Sequence, residues 1–301
     1  MNLFNKLIAV SLPIVPKSIV RKVSARYIAG DTLADAVRVV RALNAEGAMA
    51  TVDVLGEYIH SLEEATKNTK YCCEVLLTIE REMIDSNLSI KLTSLGLAID
   101  PSACERNVRT ILETARDHGN IFVRFDMENS PYTTLTVDLY DKLRKEFHIG
   151  VVLQAYMRRT KSDIERLISG GTTNIRLCKG IYIESEEIAF KSGNEIRDNF
   201  LRCLEYALAN NVYVGIATHD AMLIEEAKEL INSIGLSKDK YEFQMLLGVT
   251  EQMRRQLIKE DFRLRVYVPF GADWYGYSVR RLKENPSIAG HIVKAMFTGR
   301  T

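Results

Sequence analysis

Short runs of apolar and β-branched residues alternate along this chain with longer stretches in which apolar residues recur every three or four positions. The short runs have the length of strands, and the longer stretches have the spacing of a single apolar helix face. We predict eight strands, at residues 48–54, 88–92, 121–125, 151–153, 174–177, 212–217, 241–245 and 264–268. A predicted helix follows each strand, at residues 60–84, 102–118, 134–147, 161–169, 184–209, 221–234, 250–259 and 275–284.

Strict alternation of strand and helix predicts an α/β protein with parallel strands. Eight such units in about 250 residues fit a (βα)₈ barrel of the TIM type better than an open doubly wound sheet. Neither G-x-G-x-x-G nor G-x-x-x-x-G-K-[ST], the usual phosphate-binding patterns, occurs. We expect residues 46–301 to form the barrel domain and residues 1–45 to form an N-terminal helical extension, with Pro13 and Pro16 near its start.

The composition narrows the classes of partner. The 301 residues are 47% hydrophobic and 26% charged, as in an ordinary soluble globular chain. Forty basic and thirty-nine acidic residues give a net charge of +1, so no global field attracts nucleic acid, and we expect none as a partner. The five cysteines form no C-x-x-C pair and show no metal-ligand spacing with histidine, which predicts a reducing cytoplasm and no metal site.

An apolar segment near the N-terminus, from Leu7 to Val15, is too short to span a bilayer. We expect this segment to cover an end of the barrel. The alternative is peripheral contact with the inner face of a membrane, which the neighbouring residues Lys6, Lys17 and Arg21 would favour.

Polar residues stand at the carboxyl ends of the predicted strands, where active sites of such barrels form. They include Asp53, Glu57, Lys91, Arg124, Asp126, Gln154, Arg176, Lys179, Thr218, His219, Gln244 and Tyr267. Each also has a structural interpretation, with Asp53 or Asp220 as a helix cap and Arg124 in an ion pair at the barrel bottom. Lys91 follows apolar residues and needs partners if buried, and Asp126 and Glu57 are the expected ones.

The last predicted helix places Tyr277, Arg280, Arg281 and Glu284 each within one turn of the next. Two guanidinium groups beside a phenol are typical of a clamp for a small carboxylate, and Glu284 can orient Arg280. On this segment alone, a solvated basic helix face is an equally good interpretation.

These groups favour redox chemistry. Lys91, Arg280 and Arg281 offer positive charge to a carboxylate, and the strand ends from Gln154 to His219 offer donors to a large polar cofactor. A cation near a flavin stabilises the reduced, anionic ring, which favours an oxidoreductase. The alternatives are a Schiff-base aldolase that uses Lys91 or Lys179, and a barrel that binds a carboxylate without chemistry.

Six segments together resemble the proline dehydrogenase family. They read SIKLT at 89–93, VLQAY at 152–156, IRLCKGIY at 175–182, ATHD at 217–220, EFQML at 242–246 and YSVRRLKEN at 277–285, in the order of the family, and the resemblance runs from about residue 25 to residue 290. It implies a distorted (βα)₈ barrel that binds FAD noncovalently, oxidises L-proline to Δ1-pyrroline-5-carboxylate in the first step of proline catabolism, and passes electrons to membrane quinone. With no aldehyde dehydrogenase domain following, a monofunctional enzyme is implied.

The resemblance also implies roles for individual residues. Arg280, Arg281 and Lys91 would hold the proline carboxylate, with Glu284 beside them, and Tyr267, Leu246 and Tyr277 would complete the substrate pocket. Asp126 and Arg176 would be the catalytic groups, Arg176 near flavin N5. The remaining residues would contact the cofactor or gate the site: Met127, Gln154, Lys179, Gly180, Ile181, Thr218 and His219 with FAD, and Glu57 as a gate with Arg280.

Three positions bear on substrate choice. Tyr267 corresponds to a tyrosine in family members that use proline and to a smaller residue in those that prefer hydroxyproline, so we expect proline, with hydroxyproline as the alternative. Ile181 stands where the family usually has alanine, and Cys178 replaces a usual aliphatic residue. We expect these two departures to affect the range of substrates rather than the reaction.

The carboxylate clamp gives a first prediction. Arg281→Met should raise the Michaelis constant for proline strongly, because a charge-assisted hydrogen bond contributes about 1.5–3 kcal/mol. Steady-state kinetics with the variant measures the effect, and an unchanged Michaelis constant would count against the clamp.

Overall fold

Eight parallel strands close into a barrel in the computed structural model, which describes residues 20–21, 25–56, 59–171 and 173–278. The strands follow one another around the barrel in chain order, and β8 pairs with β1. They are β1 (Met49–Val54), β2 (Ser86–Ile90), β3 (Val123–Phe125), β4 (Ile149–Gln154), β5 (Asn174–Cys178), β6 (Tyr213–Ala217), β7 (Tyr241–Leu246) and β8 (Leu264–Phe270). The predicted (βα)₈ barrel is confirmed.

A helix precedes β1 and others connect successive strands. In the described part of the chain they are α1 (Leu33–Ala45), α2 (Leu62–Arg81), α3 (Pro101–Asp117), α4 (Ser130–Leu143), α5 (Thr160–Ser169), α6 (Gly193–Ala209), α7 (Ala221–Ile234) and α8 (Glu251–Lys259), with short 3₁₀ helices at Thr93–Leu95 and Lys238–Lys240. Residues 274–278 are helical, and the rest of the predicted last helix lies outside the described residues.

Side-chain caps define where α2 and α3 begin. The Ser61 hydroxyl accepts a hydrogen bond from the Glu64 amide at 3.2 Å, so α2 begins at the next residue, Leu62. Asp100 accepts from two amides of the first turn of α3, where Pro101 has no amide hydrogen that would need a partner. At the other end, α7 stops at Gly235, whose φ of +68° lies in the left-handed region.

Side chains in the strands alternate between an apolar outer layer and a polar interior. On β7, Tyr241, Phe243 and Met245 are buried in the main hydrophobic core with residues of the surrounding helices. Between them, Glu242 and Gln244 form hydrogen bonds inside the barrel with arginines of other strands. Such interiors are usually filled by branched apolar side chains, and buried polar groups need partners. The outer layer therefore supplies the apolar core, and the interior is available for chemistry.

One predicted helix starts later than expected. The pattern predicts a helix from residue 184, but α6 begins at Gly193. The Glu184 carboxylate instead accepts hydrogen bonds from the amide and the hydroxyl of Ser130 at 2.7 and 2.6 Å, at the start of α4. Met157 and Ala189 form an antiparallel bridge in the same region. These tertiary contacts hold the connection from β5 to α6 in an irregular path that includes a turn at residues 186–188.

The chain segment before α1 also crosses the carboxyl end of the barrel. The Ala29 amide donates to the Pro269 carbonyl at 2.9 Å, and the Gly271 amide donates to the Gly30 carbonyl at 3.0 Å. Tyr27 and Ile28 pack in a small apolar cluster that includes Leu55 and Tyr277. The described part of the predicted extension thus contacts the mouth of the barrel, while α1 packs in the main core.

The apolar segment from Leu7 to Val15 lies outside the described residues, so its position stays a prediction. No helix in the described ranges is long and apolar enough to cross a membrane.

The crossing of the N-terminal segment over Gly248 gives a stability prediction. Gly248 has φ +71°, and a Cβ there would lie 2.0 Å from the Arg26 carbonyl oxygen. Gly248→Ala should lower the free energy of unfolding by about 1–3 kcal/mol through strain and overpacking. Urea unfolding measures the loss. Gly193→Ala is the matched control, because a Cβ at Gly193 meets nothing within 4 Å, and equal midpoints for the two variants would contradict the close crossing.

Candidate active site

A cavity of about 540 Å³ opens at the carboxyl end of the barrel. Every predicted site residue that lies in the described part of the chain lines this cavity. These residues are Lys91, Asp126, Met127, Gln154, Arg176, Lys179, Gly180, Ile181, Thr218, His219, Leu246, Tyr267 and Tyr277. The predicted residues Glu57, Arg280, Arg281 and Glu284 lie outside the described residues, and their positions stay predictions.

The Asp126 carboxylate, directly after β3, joins four side chains at the floor of the cavity. Its Oδ1 accepts hydrogen bonds from the Ser89 hydroxyl of β2 at 2.5 Å and from an Arg176 NH group of β5 at 2.8 Å. Its Oδ2 accepts from the Tyr267 hydroxyl of β8 at 2.7 Å and lies 3.4 Å from Lys91 Nζ. Side chains from strands on opposite sides of the barrel therefore meet at one carboxylate.

Lys91 lies between two carboxylates and one phenol. Its Nζ is 2.7 Å from Asp53 Oδ1 and 3.2 Å from the Tyr267 hydroxyl. The Lys91 side chain is only 12% exposed, so compensation of its charge is required. Of the two partners expected from the sequence, Asp126 contacts Lys91, and Glu57 lies outside the described residues. Asp53, considered as a helix cap, is instead the nearer buried partner, and Ser61 caps the next helix.

Burial and charged neighbours shift the pKa values of Asp126 and Tyr267. Burial alone would raise the pKa of Asp126, but Lys91 and Arg176 outweigh it and hold that pKa below its usual value. Burial and the neighbouring Asp126 carboxylate raise the pKa of Tyr267 well above its usual value. At neutral pH the carboxylate is therefore ionised and the phenol keeps its proton, which it donates to Asp126.

Arg124 does not form the ion pair at the barrel bottom that was its alternative interpretation. In the described ranges no carboxylate lies within ion-pair distance of its guanidinium, which lies 4.7 Å over the Phe122 ring and donates to the Asn174 carbonyl at 3.5 Å. The ion pair in the lower part of the barrel is that of Arg265 with Glu242, at 2.7 Å. The strand pattern alone does not show which carboxylate points towards which arginine, so the sequence could not identify this pair.

Asp220, the other residue considered as a helix cap, also has a different role. It precedes α7, but its side chain makes no cap bond and accepts instead from Lys179 at 3.0 Å and from Arg197 at 2.8 Å. Burial would raise the pKa of Asp220, but the two cations lower it below its usual value. Two cations share one carboxylate, so this edge of the cavity carries net positive charge and suits an anionic group.

His219 fixes the turn after β7. The Leu246 amide donates to His219 Nε2 at 3.1 Å, so that nitrogen carries a lone pair, and Nδ1 lies 2.9 Å from the Thr250 hydroxyl. The ring therefore carries its proton on Nδ1. Thr250 has φ +46°, a rare conformation for a β-branched residue, which this contact helps to hold.

Gly180 lets the chain turn closely over a neighbouring ring. Its φ is +104°, and a Cβ there would lie 2.1 Å from Tyr156. The next residue, Ile181, lines the cavity and is 47% exposed. The bulky side chain thus stands at the opening, and its expected effect on substrate range stays a prediction.

Several lining or supporting residues were not predicted. Tyr27 reaches the cavity from the N-terminal segment, and Arg197 comes from near the start of α6 rather than from a strand end. Gln244 was recognised as polar but given no role. Glu242 was likewise recognised as polar and given no role. Tyr27 and Arg197 offer no local signal in the sequence, whereas Ser89 is a polar residue within an apolar strand and could have been identified.

The described residues contain no group of three or more His, Cys, Asp or Glu side chains that could hold a metal ion.

Comparison with known proteins gives the family. The sequence model of proline dehydrogenase matches residues 36–294. The chain is 40% identical over 277 residues to proline dehydrogenase 2 of Bacillus subtilis (strain 168), covering 92% of this chain and 91% of that relative. It is 34% identical over 283 residues to the proline dehydrogenase of Deinococcus radiodurans, covering 91% and 90%. The chain belongs to the proline dehydrogenase family and is an oxidoreductase.

Solved structures share the fold. The crystal structure of proline utilization A (PutA) from Bdellovibrio bacteriovorus, inactivated by N-propargylglycine, matches 93% of this chain with a TM-score of 0.82 and 23% identity. This chain spans about a third of that protein, 34% of its length. At this level of identity the match shows the barrel fold alone.

The central carboxylate gives a third prediction. Asp126→Ala should lower the free energy of unfolding by about 3–5 kcal/mol, because it leaves buried cations without a shared partner. The folded-state pKa of Asp126 is below the usual value, so this contribution is complete above about pH 4 and declines as the pH falls further.

Urea unfolding at several pH values measures the loss. Asp117→Ala is the control, because the Arg116–Asp117 pair is more than half exposed and should change stability little. Equal effects of the two substitutions at pH 7 would contradict the prediction.

Proposed function

We propose that this chain oxidises L-proline to Δ1-pyrroline-5-carboxylate with FAD and passes the electrons to membrane quinone. One observation carries the proposal: the buried cluster of Lys91, Asp126, Arg176 and Tyr267 lies at the floor of the cavity that the predicted cofactor residues line. Membership of the family and the names of its relatives support proline as the substrate.

The proposed substrate contacts follow from charge and shape. Lys91 would bind the proline carboxylate together with Arg280 and Arg281, whose assignment rests on the sequence. Leu246 and Tyr277, which line the cavity, would form an apolar wall against the ring. Such a mostly apolar pocket with a few fixed polar groups orients a small ligand.

The residues present fit FAD in size and in chemistry. The cavity of about 540 Å³ lies within the usual range for cofactor sites. Lys179 and Arg197 give positive charge for a pyrophosphate, and Gln154, with its Nε2 bonded to the Glu128 carbonyl at 3.1 Å, offers its Oε1 to a donor. FAD when bound would supply the hydride acceptor.

The remaining proposed cofactor contacts surround this core. Met127, Gly180, Ile181, Thr218 and His219 line the same cavity. Arg176, 8% exposed, would place a positive charge near the flavin ring. Because the Arg176 side chain is largely buried, that charge would act more strongly than it does in solvent.

Tyr267 supports proline over hydroxyproline. Its hydroxyl is held by Asp126 at 2.7 Å and Lys91 at 3.2 Å, so it cannot swing aside without breaking both contacts. A fixed phenol leaves less room than a smaller residue for an added substrate hydroxyl.

The aldolase alternative has less support. A Schiff-base lysine needs a lone pair and a desolvated site. Lys91 is held between Asp53 and Asp126, which favour its charged form. Lys179 pairs with Asp220 and is 41% exposed, so it is not desolvated.

Support for the electron acceptor and for peripheral membrane contact comes from the resemblance. Ile181, which lines the cavity, is 47% exposed, and Ile183, two residues further along the chain, is 99% exposed. Exposed apolar side chains there would suit an apolar acceptor.

The test is the visible spectrum of the purified protein before and after anaerobic addition of L-proline. We expect the flavin bands to bleach with L-proline, to stay unchanged with D-proline, and to bleach far more slowly with trans-4-hydroxy-L-proline. A flavin that L-proline does not reduce would contradict the substrate. Absence of flavin after reconstitution with FAD would overturn the proposal as a whole, and borohydride trapping of a ketoacid on lysine would then support the aldolase.

A further inference from the structure

Beneath the floor of the cavity lies a buried carboxylate that the proposed reaction does not use. Glu242, on β7, is 1% exposed and does not line the cavity. Two residues further along the same strand, Gln244 does line it. Residues two apart on a strand face the same side, so both point into the barrel, with Glu242 the deeper.

A chain of short hydrogen bonds connects Glu242 to the Asp126 carboxylate. Gln244 Nε2 donates to Glu242 Oε1 at 2.6 Å, and Arg176 Nε donates to Gln244 Oε1 at 2.5 Å. The opposite side of the Arg176 guanidinium donates to Asp126 Oδ1 at 2.8 Å. Arg176 is thus held from two sides, by Gln244 and by Asp126.

The chemistry of the groups fixes the direction of this chain. An ionised carboxylate only accepts hydrogen bonds, so the amide NH₂ of Gln244 faces Glu242. The amide oxygen of Gln244 must then face Arg176, which has only donors. Each group therefore meets a complementary neighbour, and the guanidinium plane is held at its Nε.

Glu242 is itself held firmly in the ionised form. Arg265 Nε donates to its Oε1 at 2.7 Å and the Tyr213 hydroxyl donates to its Oε2 at 2.8 Å. Burial would raise the pKa of Glu242, but Arg265 outweighs it and the pKa is lowered to about 2.

The neighbouring strand, β6, has a glycine next to Gln244 and so leaves space for its side chain. Gly215 of β6 pairs in register with Glu242, and a Cβ at Gly215 would lie 2.4 Å from Gln244 Nε2. The space that a side chain on β6 would fill is occupied by the Gln244 amide. Close packing thus restricts Gln244 to the position in which it bonds Arg176.

We propose that Glu242 is a positioning residue that acts through Gln244 to hold the Arg176 guanidinium in place at the cavity floor. The inference rests on the proposed function in one respect, namely that Arg176 lies near a bound flavin. A correctly placed cation favours the reduced, anionic ring over the oxidised ring. Loss of the support should therefore lower the reduction potential of the bound flavin.

Two variants break the chain without changing net charge. Gln244→Met removes the acceptor for Arg176 and keeps every charge. The double variant Glu242→Met/Arg265→Met replaces a buried ion pair by apolar residues of similar length, an exchange that is often tolerated. Either variant can be used if the other does not fold.

The main measurement is the midpoint potential of bound FAD by dye equilibration, which does not require proline. We expect both variants to shift it downwards by about 30 mV, corresponding to a tenfold weaker preference for the reduced flavin in a two-electron couple. We also expect kcat with proline to fall about tenfold while the Michaelis constant stays within about twofold, since an interaction that matters only in the reaction step is lost.

Two controls separate positioning from stability and from charge. Tyr213→Phe removes a hydrogen bond to the other oxygen of Glu242, so it should lower the unfolding midpoint and leave the potential unchanged. Glu242→Gln keeps an amide oxygen that can accept from Gln244, so the potential should not fall, and loss of the negative charge should raise it slightly.

Unchanged potentials in both chain-breaking variants would overturn the inference, even with an active wild-type enzyme. An equal fall in Tyr213→Phe would also overturn it, because loss of rigidity alone would then explain the effect. Failure of the proposed function has a different signature, since wild-type protein would then bind no FAD, or would bind FAD that L-proline does not reduce.

Discussion

The Asp126 carboxylate is the group on which the geometry of the site depends. It joins Ser89 of β2, Arg176 of β5 and Tyr267 of β8, and it shares Lys91 with Asp53 of β1. Burying any of these charges alone would cost several kcal/mol, so each is tolerated only while the others are in place. The positions of the groups are therefore determined by several partners at once, which gives a fixed arrangement of charges at the floor of the cavity.

The interior of the barrel can be polar because the apolar core lies between the strands and the helices. Residues such as Val52, Phe125 and Phe243 point outwards from the strands and pack in the main core with the helices. The alternation of side chains along each strand separates the two tasks. Stability comes from the layer between strands and helices, and the inner surface can carry arginine, glutamate and glutamine in hydrogen-bonded pairs.

The sequence predicts the barrel well because the strand and helix patterns depend on residues that are close together along the chain. Runs such as residues 241–245 have strand length, and the polar residues after them fall at the carboxyl ends that later meet in one cavity. The pairing of side chains from different strands depends on residues that are far apart along the chain. The contacts of Lys91 with Asp53, and of Gln244 with Arg176, depend on register across the closed sheet. The late start of α6 has the same cause, since the contact of Glu184 with Ser130 overrides a local helical pattern.

Closure of the barrel by β8 against β1 has a consequence for how the chain can be divided. A fragment ending after β4 would hold Lys91, Asp53 and Asp126 without Arg176 or Tyr267. The complementary fragment would hold Arg176 and Tyr267 without the Asp126 carboxylate that both of them contact. Neither half-barrel could satisfy the charges of its interior alone, so the contacts of Asp126 form only when both halves are present.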